Sequence, residues 1–249
     1  MRVAELHPWK VSTQQATRIQ RSLRARLLLK PLAREIRLVA AADVAYSRPT
    51  HRMYAAVVAV RLPDFEVVET ATAVQLARFP YIPGLFSFRE MPPLVRAFER
   101  LRSRPDAVLF DGQGLAHPRR LGLACHAGLL LRTPTVGCAK SRLVGEHGPV
   151  PVTRGGRADL VHEGEVVGAV VRTRAGVSPV FVSPGHLTDV DSAVELVLRT
   201  TGRFRLPEPI RLAHRATTEL MRGMDPRLSP PRARTYAHYR RRADAARWS

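Results

Sequence analysis

The sequence predicts an α/β fold in which one mixed sheet is flanked by helices. Three apolar segments joined by short turns occupy residues 36–76, which is typical of an antiparallel meander. From residue 94 onward helical and strand patterns alternate, and this alternation indicates right-handed β-α-β units with parallel pairing. With 249 residues, the chain is long enough to form such a sheet around a core of its own.

The first helix and the three meander strands are predicted from the spacing of their apolar residues. A serine or threonine can cap a helix over residues 12–31, in which Ile19, Leu23 and Leu27 recur at four-residue steps. The predicted strands cover residues 36–46, 53–62 and 65–76. The second strand is apolar throughout, which indicates burial on both faces of the sheet.

The second half of the chain supplies the remaining elements. Helices are predicted over residues 94–101, 121–131, 189–200 and from 208 onward, and strands over 107–110, 135–138, 166–171 and 180–182. Turn signals at Glu163-Gly164 and Ala175-Gly176 predict hairpins. Residues 1–221 are therefore a predicted single domain, and residues 222–249 a basic tail with eight arginines against two aspartates.

The balance of charge favours a polyanionic partner. The chain has 40 basic and 21 acidic residues and a formal net charge of +19. Nucleic acid is the commonest soluble polyanion, so it is the predicted partner. The alternative is a solvated basic surface, because lysine occurs only at positions 10, 30 and 140 and the chain is biased toward arginine. That bias leaves the shortage of acidic residues unexplained.

The cysteines and the apolar segments bear on where the protein works. Cys125 and Cys138 lie in apolar segments and lack a second cysteine or a histidine at zinc-ligand spacing, which predicts buried, reduced thiols. The N-terminal residues lack the apolar core of a signal peptide. No apolar run approaches the ~20 residues of a membrane span. We therefore expect a cytoplasmic monomer that does not contact a membrane.

Two aspartates each follow or interrupt an apolar strand. Asp43 lies within the first predicted strand, and Asp111 comes directly after the strand of residues 107–110. Open α/β sheets bind ligands at the carboxyl ends of their strands, so the two carboxylates meet if these strands are neighbours. Carboxylates that converge without His or Cys suit Mg²⁺ or Mn²⁺. Taken singly, Asp43 is more often an acid that caps a turn or pairs with an arginine.

Glu90 is the candidate third carboxylate. Ser87 and Glu90 have the spacing of a capping box, in which Glu90 would bond back to the Ser87 amide. However, Pro92 and Pro93 fall where that helix needs amide donors, so the helix is predicted to begin at Pro92. If the helix begins at Pro92, the Glu90 side chain is free to point elsewhere. The spacing alone therefore does not decide between a capping role and a ligand role for Glu90.

The loop after Asp111 combines flexible backbone with positive charge. Its glycines, which permit close approach of backbone amides to a flat or anionic ligand, are Gly112, Gly114 and Gly122. Pro118 suits the first position of the next helix, whose amino end would direct Arg119 and Arg120 toward a phosphate. Lys140, at the end of the next strand, could contact the same phosphate. The alternatives are a glycine-rich turn with solvated arginines and a solvated lysine.

A stiff apolar turn lies between the meander and the first β-α-β unit. It comprises Pro80, Tyr81, Ile82, Pro83 and Gly84. Loops fixed by proline can insert a side chain between stacked bases. The residues alone favour the alternative, in which Tyr81 and Ile82 pack into the core.

Six segments together resemble the endonuclease V family, whose members cut nucleic acid at deaminated purines, chiefly inosine. The matching segments, in family order between residues 36 and 220, are ADVAY, PYIPGLFSFRE, DGQGLAHPRRLGLA, GCAKSRLVG, VSPGHLTD and RLPEPIRLAH. The second and third are long and unusual, which makes the resemblance specific. It implies a ribonuclease H-like fold, and the basic tail lies outside it.

The resemblance also implies a role for each matching residue. Asp43, Glu90 and Asp111 would bind Mg²⁺, with His214 close to the metal and Lys140 holding the phosphate near the scissile bond. Pro80, Tyr81, Ile82 and Pro83 would form a strand-separating wedge with Tyr81 at its tip. The pocket for an extruded hypoxanthine would be lined by Gly84, Leu85, Gly112, His117, Gly122 and Leu123.

The implied reaction is Mg²⁺-dependent nicking of a DNA strand at the second phosphodiester bond 3′ to deoxyinosine. Inosine-containing RNA is the alternative substrate, and a non-catalytic nucleic-acid-binding protein of this fold is the rival from another class. One residue departs from the family pattern, which usually has histidine where this chain has Gln113. Gln113 can form hydrogen bonds but cannot titrate near neutral pH, so a proton-transfer role at this position is in doubt.

Overall fold

The computed structural model describes residues 1–32 and 35–224. Its elements, in chain order, are α1 (Thr13–Arg24), β1 (Leu38–Ser47), β2 (Arg52–Arg61), β3 (Glu66–Leu76), α2 (Phe86–Arg100), β4 (Ala107–Phe110), α3 (Leu123–Leu131), β5 (Thr135–Ala139), β6 (Arg157–His162), β7 (Glu165–Val171), β8 (Val180–Pro184), α4 (Val190–Arg199) and α5 (Glu208–Met224). The last helix thus extends three residues beyond the predicted domain boundary, and the rest of the basic tail lies outside the described residues.

One sheet of eight strands, in the order β3-β2-β1-β4-β5-β8-β7-β6, organises these elements. The first three strands form the predicted antiparallel meander, and β1, β4 and β5 pair in parallel. The antiparallel strands β8, β7 and β6 complete the other half of the sheet. The predicted mixed α/β sheet is therefore confirmed.

Helices cover both faces of the sheet and bury its apolar strands. The helices α2 and α3 pack with β1, β2 and β4 in one core cluster, and α4 and α5 pack on the opposite face in a second cluster. Because β2 is covered on both sides, its eight inner residues are all buried, as its apolar sequence predicts. Cys125 and Cys138 are free and buried, and burial raises the pKa of both thiols.

The helix α1 is shorter than predicted. It ends at Arg24, whereas the apolar spacing suggested residues 12–31. The backbone beyond it bonds to a distant part of the chain, because Leu28 N donates to the His186 side chain and Leu28 O accepts from Leu187 N. These tertiary hydrogen bonds take the place of the last helical turns.

The helix α2 corrects two predictions. It begins at Phe86, so Pro92 and Pro93 lie inside it and the predicted start at Pro92 was wrong. Ser87 is the second helical residue and not a cap, so the capping-box alternative was also wrong. Each proline removes one amide donor, but α2 buries an apolar face that includes Met91 and Leu94, and this burial offsets the loss.

A chain of polar contacts fixes the N-terminal segment to α2 and α3. The Ser87 hydroxyl lies 3.0 Å from His126 Nδ1, His126 Nε2 lies 2.7 Å from His7 Nε2, and His7 Nδ1 lies 2.9 Å from the carbonyl oxygen of Pro8. Since that carbonyl can only accept, His7 carries its proton on Nδ1 and His126 donates from Nε2. Both imidazoles are neutral in this arrangement. Burial, followed by the neighbouring His7, lowers the pKa of His126 to about 3.

We expect the protein to lose stability as the pH falls below about 6.5, the unperturbed pKa of histidine. Below this pH His126 is protonated in the unfolded chain but stays neutral in the folded protein. The contribution of His126 to stability is therefore complete above this pH and declines toward pH 3. The free energy of unfolding should fall by about 1.4 kcal/mol per pH unit from this group. Denaturant unfolding of His126→Phe should show a shallower decline between pH 6.5 and 5, whereas the exposed His147→Asn should match the parent. Equal slopes for all three proteins would contradict the assignment.

Candidate active site

The parallel pairing of β1 with β4 brings two carboxylates to one edge of the sheet. Ala42 is the register partner of Phe110, so the next residues along the two strands are Asp43 and Asp111. Both side chains are mostly buried, with 16% and 17% of their surface exposed. The expectation that these strands are neighbours is confirmed, and with it the approach of the two aspartates.

Glu90 reaches the same place from the second turn of α2. Its pKa is raised well above the usual value, first by burial and then by the negative charges of Asp43 and Asp111, while Arg89 opposes the shift. Two other acids can perturb Glu90 in this way only from nearby, because the interaction of charges falls with distance. The fold therefore gathers all three candidate carboxyl groups.

Basic and hydroxyl side chains hold the aspartates in place. Lys140, directly after β5, donates from Nζ to Asp111 Oδ2. On α5, His214 donates from Nδ1 to Asp43 Oδ2 at 2.9 Å, and the Thr217 hydroxyl donates to the same oxygen at 2.9 Å. The Lys140 ammonium supplies part of the positive charge that a cluster of carboxylates requires.

The donor set fits a divalent cation with oxygen ligands. Within residues 1–32 and 35–224, no three His, Cys, Asp or Glu side chains are spaced to hold an ion as they stand. Asp43 and Asp111 instead face His214 and Lys140. Burial and then the negative charges of Asp43 and Asp111 raise the pKa of Glu90, and a cation between the three acids would offset that repulsion. Three carboxylates without Cys suit Mg²⁺ or Mn²⁺ in particular.

A cavity of about 340 Å³ opens beside Asp111, and we call it the base pocket. Five of the six residues expected in a hypoxanthine pocket line it, namely Gly84, Gly112, His117, Gly122 and Leu123. Leu85 is the exception, because its side chain packs with Phe79 and Phe88 in a core cluster. Lys140 and Tyr81 also line the cavity, so the pocket joins the carboxylate edge to the proline-rich turn.

His117 connects the two loops that frame the base pocket. Its Nε2 donates to the Gly84 carbonyl at 2.9 Å, and its Nδ1 accepts from the Arg119 backbone amide at 3.1 Å. Burial, then the positive charge of Arg119, lowers the pKa of His117 to about 4. A neutral imidazole with both nitrogens engaged is a rigid wall for the pocket and does not carry protons at neutral pH.

The proline-rich turn presents one aromatic side chain to solvent. Tyr81 is 68% exposed and makes an edge contact with Phe86, with 5.4 Å between ring centroids. Ile82 is half-buried against the cluster of Phe79, Leu85 and Phe88. The core-packing alternative is therefore wrong for Tyr81 and correct for Ile82, which anchors the turn while Tyr81 projects. Pro80 is exposed, and Pro83 lines the base pocket.

Comparison with known proteins agrees with this geometry. The sequence profile of Endonuclease V matches residues 21–215. An endonuclease V from Myxococcus xanthus is 48% identical over 220 residues, which cover 88% of this chain and 94% of the relative. The chain belongs to the endonuclease V family. It is accordingly an endonuclease, and the resemblance in the sequence is confirmed.

Solved structures of endonuclease V extend the agreement to the fold. The Bacillus subtilis protein superposes with a TM-score of 0.84 at 31% identity and covers 88% of this chain and 97% of its own. A Ciona intestinalis endonuclease V, in complex with a 23mer DNA containing an inosine followed by a ribo-adenosine, superposes with a TM-score of 0.77 at 25% identity. That match covers 86% of this chain and 100% of the other. The ribonuclease H-like fold implied by the endonuclease V resemblance is confirmed.

The glycine-rich loop of this endonuclease V corrects the interpretation from sequence. Pro118 does not start a helix, because α3 begins at Leu123 after an extended Gly122. Arg120 is buried and pairs with Glu163 and Glu165. The Arg119 guanidinium donates to the Gln20 side chain and to the Gly84 carbonyl. Both arginines therefore hold the loop in place, and neither is directed toward a phosphate.

Gln113 takes a defined position in the same loop. Its Nε2 donates to the Ser141 carbonyl at 3.0 Å, which fixes the orientation of the amide. Its Oε1 is buried and has no hydrogen-bond partner within the described part of the chain. Gln113 thus ties the glycine-rich loop to the segment after β5, and as an amide it contributes no titrating group.

Two residues of the site were missed from sequence. Thr217 follows His214 by three positions on α5, and this helical spacing could have indicated a second contact to Asp43. Gln20 lies between Ala16 and Leu23 on the buried face of α1 and donates to the carbonyls of Gly84 and Leu121. A buried glutamine on an apolar helix face is the available signal, because such a group must find partners.

Proposed function

We propose that this endonuclease V nicks a DNA strand at the second phosphodiester bond 3′ to deoxyinosine and depends on Mg²⁺. The products would be a 3′-hydroxyl and a 5′-phosphate, with the deaminated base left in place. The observation that carries the proposal is the contact of Lys140 with Asp111 at the point where the carboxylate edge meets the base pocket. One location can therefore hold an extruded base and a backbone phosphate together.

Each residue has a physical task in this reaction. The base pocket would accept the extruded hypoxanthine between the glycine loop and Gly84, with neutral His117 as a wall. Tyr81 would occupy the gap left in the base stack. Lys140 would bind the phosphate near the scissile bond as a compact cation. His214 and Thr217 orient Asp43 through the hydrogen bonds described above.

Asp43, Glu90 and Asp111 would hold the divalent cation. When bound, Mg²⁺ supplies the charge that activates water and stabilises the phosphate and the leaving oxygen. The chain's part is to gather the three carboxylates and to keep Lys140 beside them. Mn²⁺ has the same preference for oxygen ligands and is the natural substitute.

An RNA substrate is the second candidate, and one observation favours it. The Ciona intestinalis endonuclease V was crystallised with a strand in which a ribo-adenosine follows the inosine. A ribonucleotide beside the lesion is thus accommodated by a relative of the same fold. A non-catalytic binding protein is disfavoured, because this chain retains all three carboxylates and the lysine.

The test is nicking of a duplex with one central deoxyinosine, compared with the same duplex carrying deoxyguanosine. We expect Mg²⁺-dependent cleavage of the inosine strand alone, on the 3′ side of the nucleotide that follows the lesion, and recovery with Mn²⁺ after chelation. A matched inosine RNA separates the two candidates by relative rate. Binding of the inosine duplex without cleavage in any divalent cation would contradict the proposal and support a non-catalytic nucleic-acid-binding protein.

Tyr81→Ala should weaken discrimination between inosine and normal duplexes while leaving thermal stability almost unchanged. The exposed ring contributes little to the core, but base–aromatic stacking is worth roughly 1–3 kcal/mol. The ratio of binding constants for the two duplexes should therefore fall by about fivefold or more. Tyr81→Phe keeps the ring and should retain the ratio. An unchanged ratio for Tyr81→Ala would exclude the wedge.

A further inference from the structure

A second cavity, of about 950 Å³, adjoins the carboxylate edge, and we call it the distal cleft. Its walls come from the β2–β3 turn and from residues 202–215, the segment that enters α5. Among the described residues, the distal cleft and the base pocket have only Asp111 and Lys140 in common. The cleft therefore lies across the Asp111–Lys140 pair from the site proposed for the extruded base.

The distal cleft carries positive charge close to Lys140. Arg205 donates from Nη2 to the carbonyls of Lys140 and Pro179 at 2.9 and 2.7 Å, so its guanidinium is fixed beside the lysine. Its Nε is buried without a hydrogen-bond partner among the described residues. Arg203 also lines the cleft, and within residues 1–32 and 35–224 no carboxylate forms a salt bridge with either arginine. Arg203 and Arg205 thus add two cations to the cleft that Lys140 lines, which favours a backbone phosphate.

The cleft also contains an exposed aromatic ring with a fixed position. Phe204 is 40% exposed and lines the cleft. The guanidinium of Arg211 lies 3.3 Å from the Phe204 ring centroid, and Arg211 is itself held by Glu208 at 2.7 Å. The guanidinium of Arg203 lies farther away, 6.0 Å from the same centroid. Arg211 thus supports the ring, which remains partly exposed where it lines the cleft.

An aromatic platform beside unneutralised arginines is the combination that binds single-stranded nucleic acid. Bases stack on such rings without regard to sequence, while the cations follow the backbone. Besides Asp111, two acids line the cleft, Asp64 and Glu208, but Glu208 is paired with Arg211. The remaining balance of Lys140, Arg203 and Arg205 against Asp64 and Asp111 still favours an anionic strand.

We propose that the distal cleft binds the nucleotide immediately 3′ to the cut, with its base stacked on Phe204 and its 5′-phosphate among three cations that line the cleft, Lys140, Arg203 and Arg205. This inference rests on the proposed function, since it takes the scissile bond to lie at the Asp111–Lys140 pair. The damaged base then occupies one cavity and the first nucleotide of the downstream product the other. A strand fixed on both sides of the cut is positioned for reaction.

The decisive measurement combines one substitution in the protein with one change in the substrate. Inosine duplexes are prepared with an intact nucleotide or an abasic residue immediately 3′ to the cut, and single-turnover nicking is measured for the parent, Phe204→Ala and Phe204→Leu. The parent should lose about tenfold on the abasic duplex. On the intact duplex, both variants should nick about tenfold more slowly than the parent. On the abasic duplex, their rates should fall little further. Phe204→Leu preserves an apolar side chain against Arg211, so a loss that it shares reports stacking and not unfolding.

Arginine variants test the phosphate half of the proposal. Arg203→Gln should weaken binding of a short single strand that carries a 5′-phosphate more than binding of the same strand without the phosphate. Arg104→Gln is the matched control, because Arg104 is exposed before β4, at the opposite end of that strand from Asp111, and should behave as the parent. The assignment would be overturned if the loss of rate from the Phe204 substitution and the loss from the abasic substrate added fully when combined. Equal binding of the two single strands by the parent would also overturn it.

These outcomes separate the distal cleft from the proposed function. If inosine duplexes are nicked but the Phe204 variants react at the parent rate, the cleft inference fails and the function stands. If no nicking occurs, the single-strand titration still decides the cleft. Binding that distinguishes the 5′-phosphate and depends on Phe204 and Arg203 would then support it, and binding equal to that of the Arg104→Gln control in every variant would refute it.

Discussion

Asp111→Asn is expected to abolish Mg²⁺-dependent nicking while the protein remains folded. The substitution removes a charged ligand of similar shape and leaves Lys140 without its anionic partner. A metal ion stabilises transition-state charge by several kcal/mol, so losing about 4 kcal/mol lowers the rate by about 1000-fold. The measurement is single-turnover nicking of an inosine duplex at saturating enzyme.

The stability of Asp111→Asn distinguishes a chemical loss from a structural one. Asp111 is one of the two negative charges that raise the pKa of Glu90, so its removal relieves repulsion and should leave the melting temperature equal or higher. Asp191→Asn is a matched control, because Asp191 also pairs with a basic side chain, that of Arg157 at 2.7 Å, but lies on α4. It should nick at the parent rate. Substantial Mg²⁺-dependent turnover by Asp111→Asn would exclude the carboxylate site.

Glu90→Gln extends the same test to Glu90, which the sequence alone could not assign as a helix cap or as a metal ligand. The residue lies in the second turn of α2 and does not cap the helix, so its replacement should cost little stability. Loss of nicking with an unchanged melting temperature would place Glu90 among the metal ligands. Loss of stability with preserved nicking would give it a structural role.

The carboxylate edge was accessible from sequence because its signal is local. Asp111 follows an apolar strand and Asp43 interrupts one, and the two acids meet because β1 and β4 are parallel neighbours, a condition that the sequence left open. Asp43 and Asp111 therefore needed no tertiary information beyond strand order. His214 on α5 was assigned from the family resemblance alone.

The predictions that failed depended on distant partners. Arg119 and Arg120 were assigned to a phosphate from their charge alone, but Arg120 pairs with Glu163 and Glu165 on the hairpin between β6 and β7. Charge type does not reveal which carboxylate is nearby. The start of α2 failed for a related reason, since local helix rules argue against Pro92 inside a helix whereas burial of the helix face overrides them.

The distal cleft could not be predicted from the sequence, because it depends on contacts between distant segments. Its walls join the β2–β3 turn to residues 202–215, segments more than a hundred positions apart that meet only because α5 packs on β1 and β2. Phe204 is an unremarkable phenylalanine in the sequence. Its exposure and its contact with Arg211 exist only in the folded chain.

Gly114→Ala is expected to destabilise the fold strongly. A Cβ at this position would lie 2.1 Å from the Pro184 carbonyl oxygen and 2.9 Å from that of Ser183, both on the β8 backbone. These oxygens cannot rotate away as a side chain could, so the loop must shift. Overpacking of a close backbone contact costs about 3 kcal/mol, which lowers the melting temperature by about 6–12 °C in a domain of this size. Thermal unfolding followed by circular dichroism measures the effect.

Gly112→Ala is the control within the same loop. Comparing the two variants distinguishes a glycine required for backbone packing from a glycine that lines the base pocket. A Cβ on Gly112 would meet only the Leu123 side chain, at 3.5 and 3.7 Å, which is ordinary contact. Its melting temperature should therefore remain close to that of the parent. Both Gly112 and Leu123 line the base pocket, so Gly112→Ala should instead lower nicking of the inosine duplex. The prediction is contradicted if Gly114→Ala melts with the parent, because the loop would then tolerate the methyl group. In that case Gly114 would serve a ligand, as its position after Asp111 first suggested, and not the packing of the loop against β8.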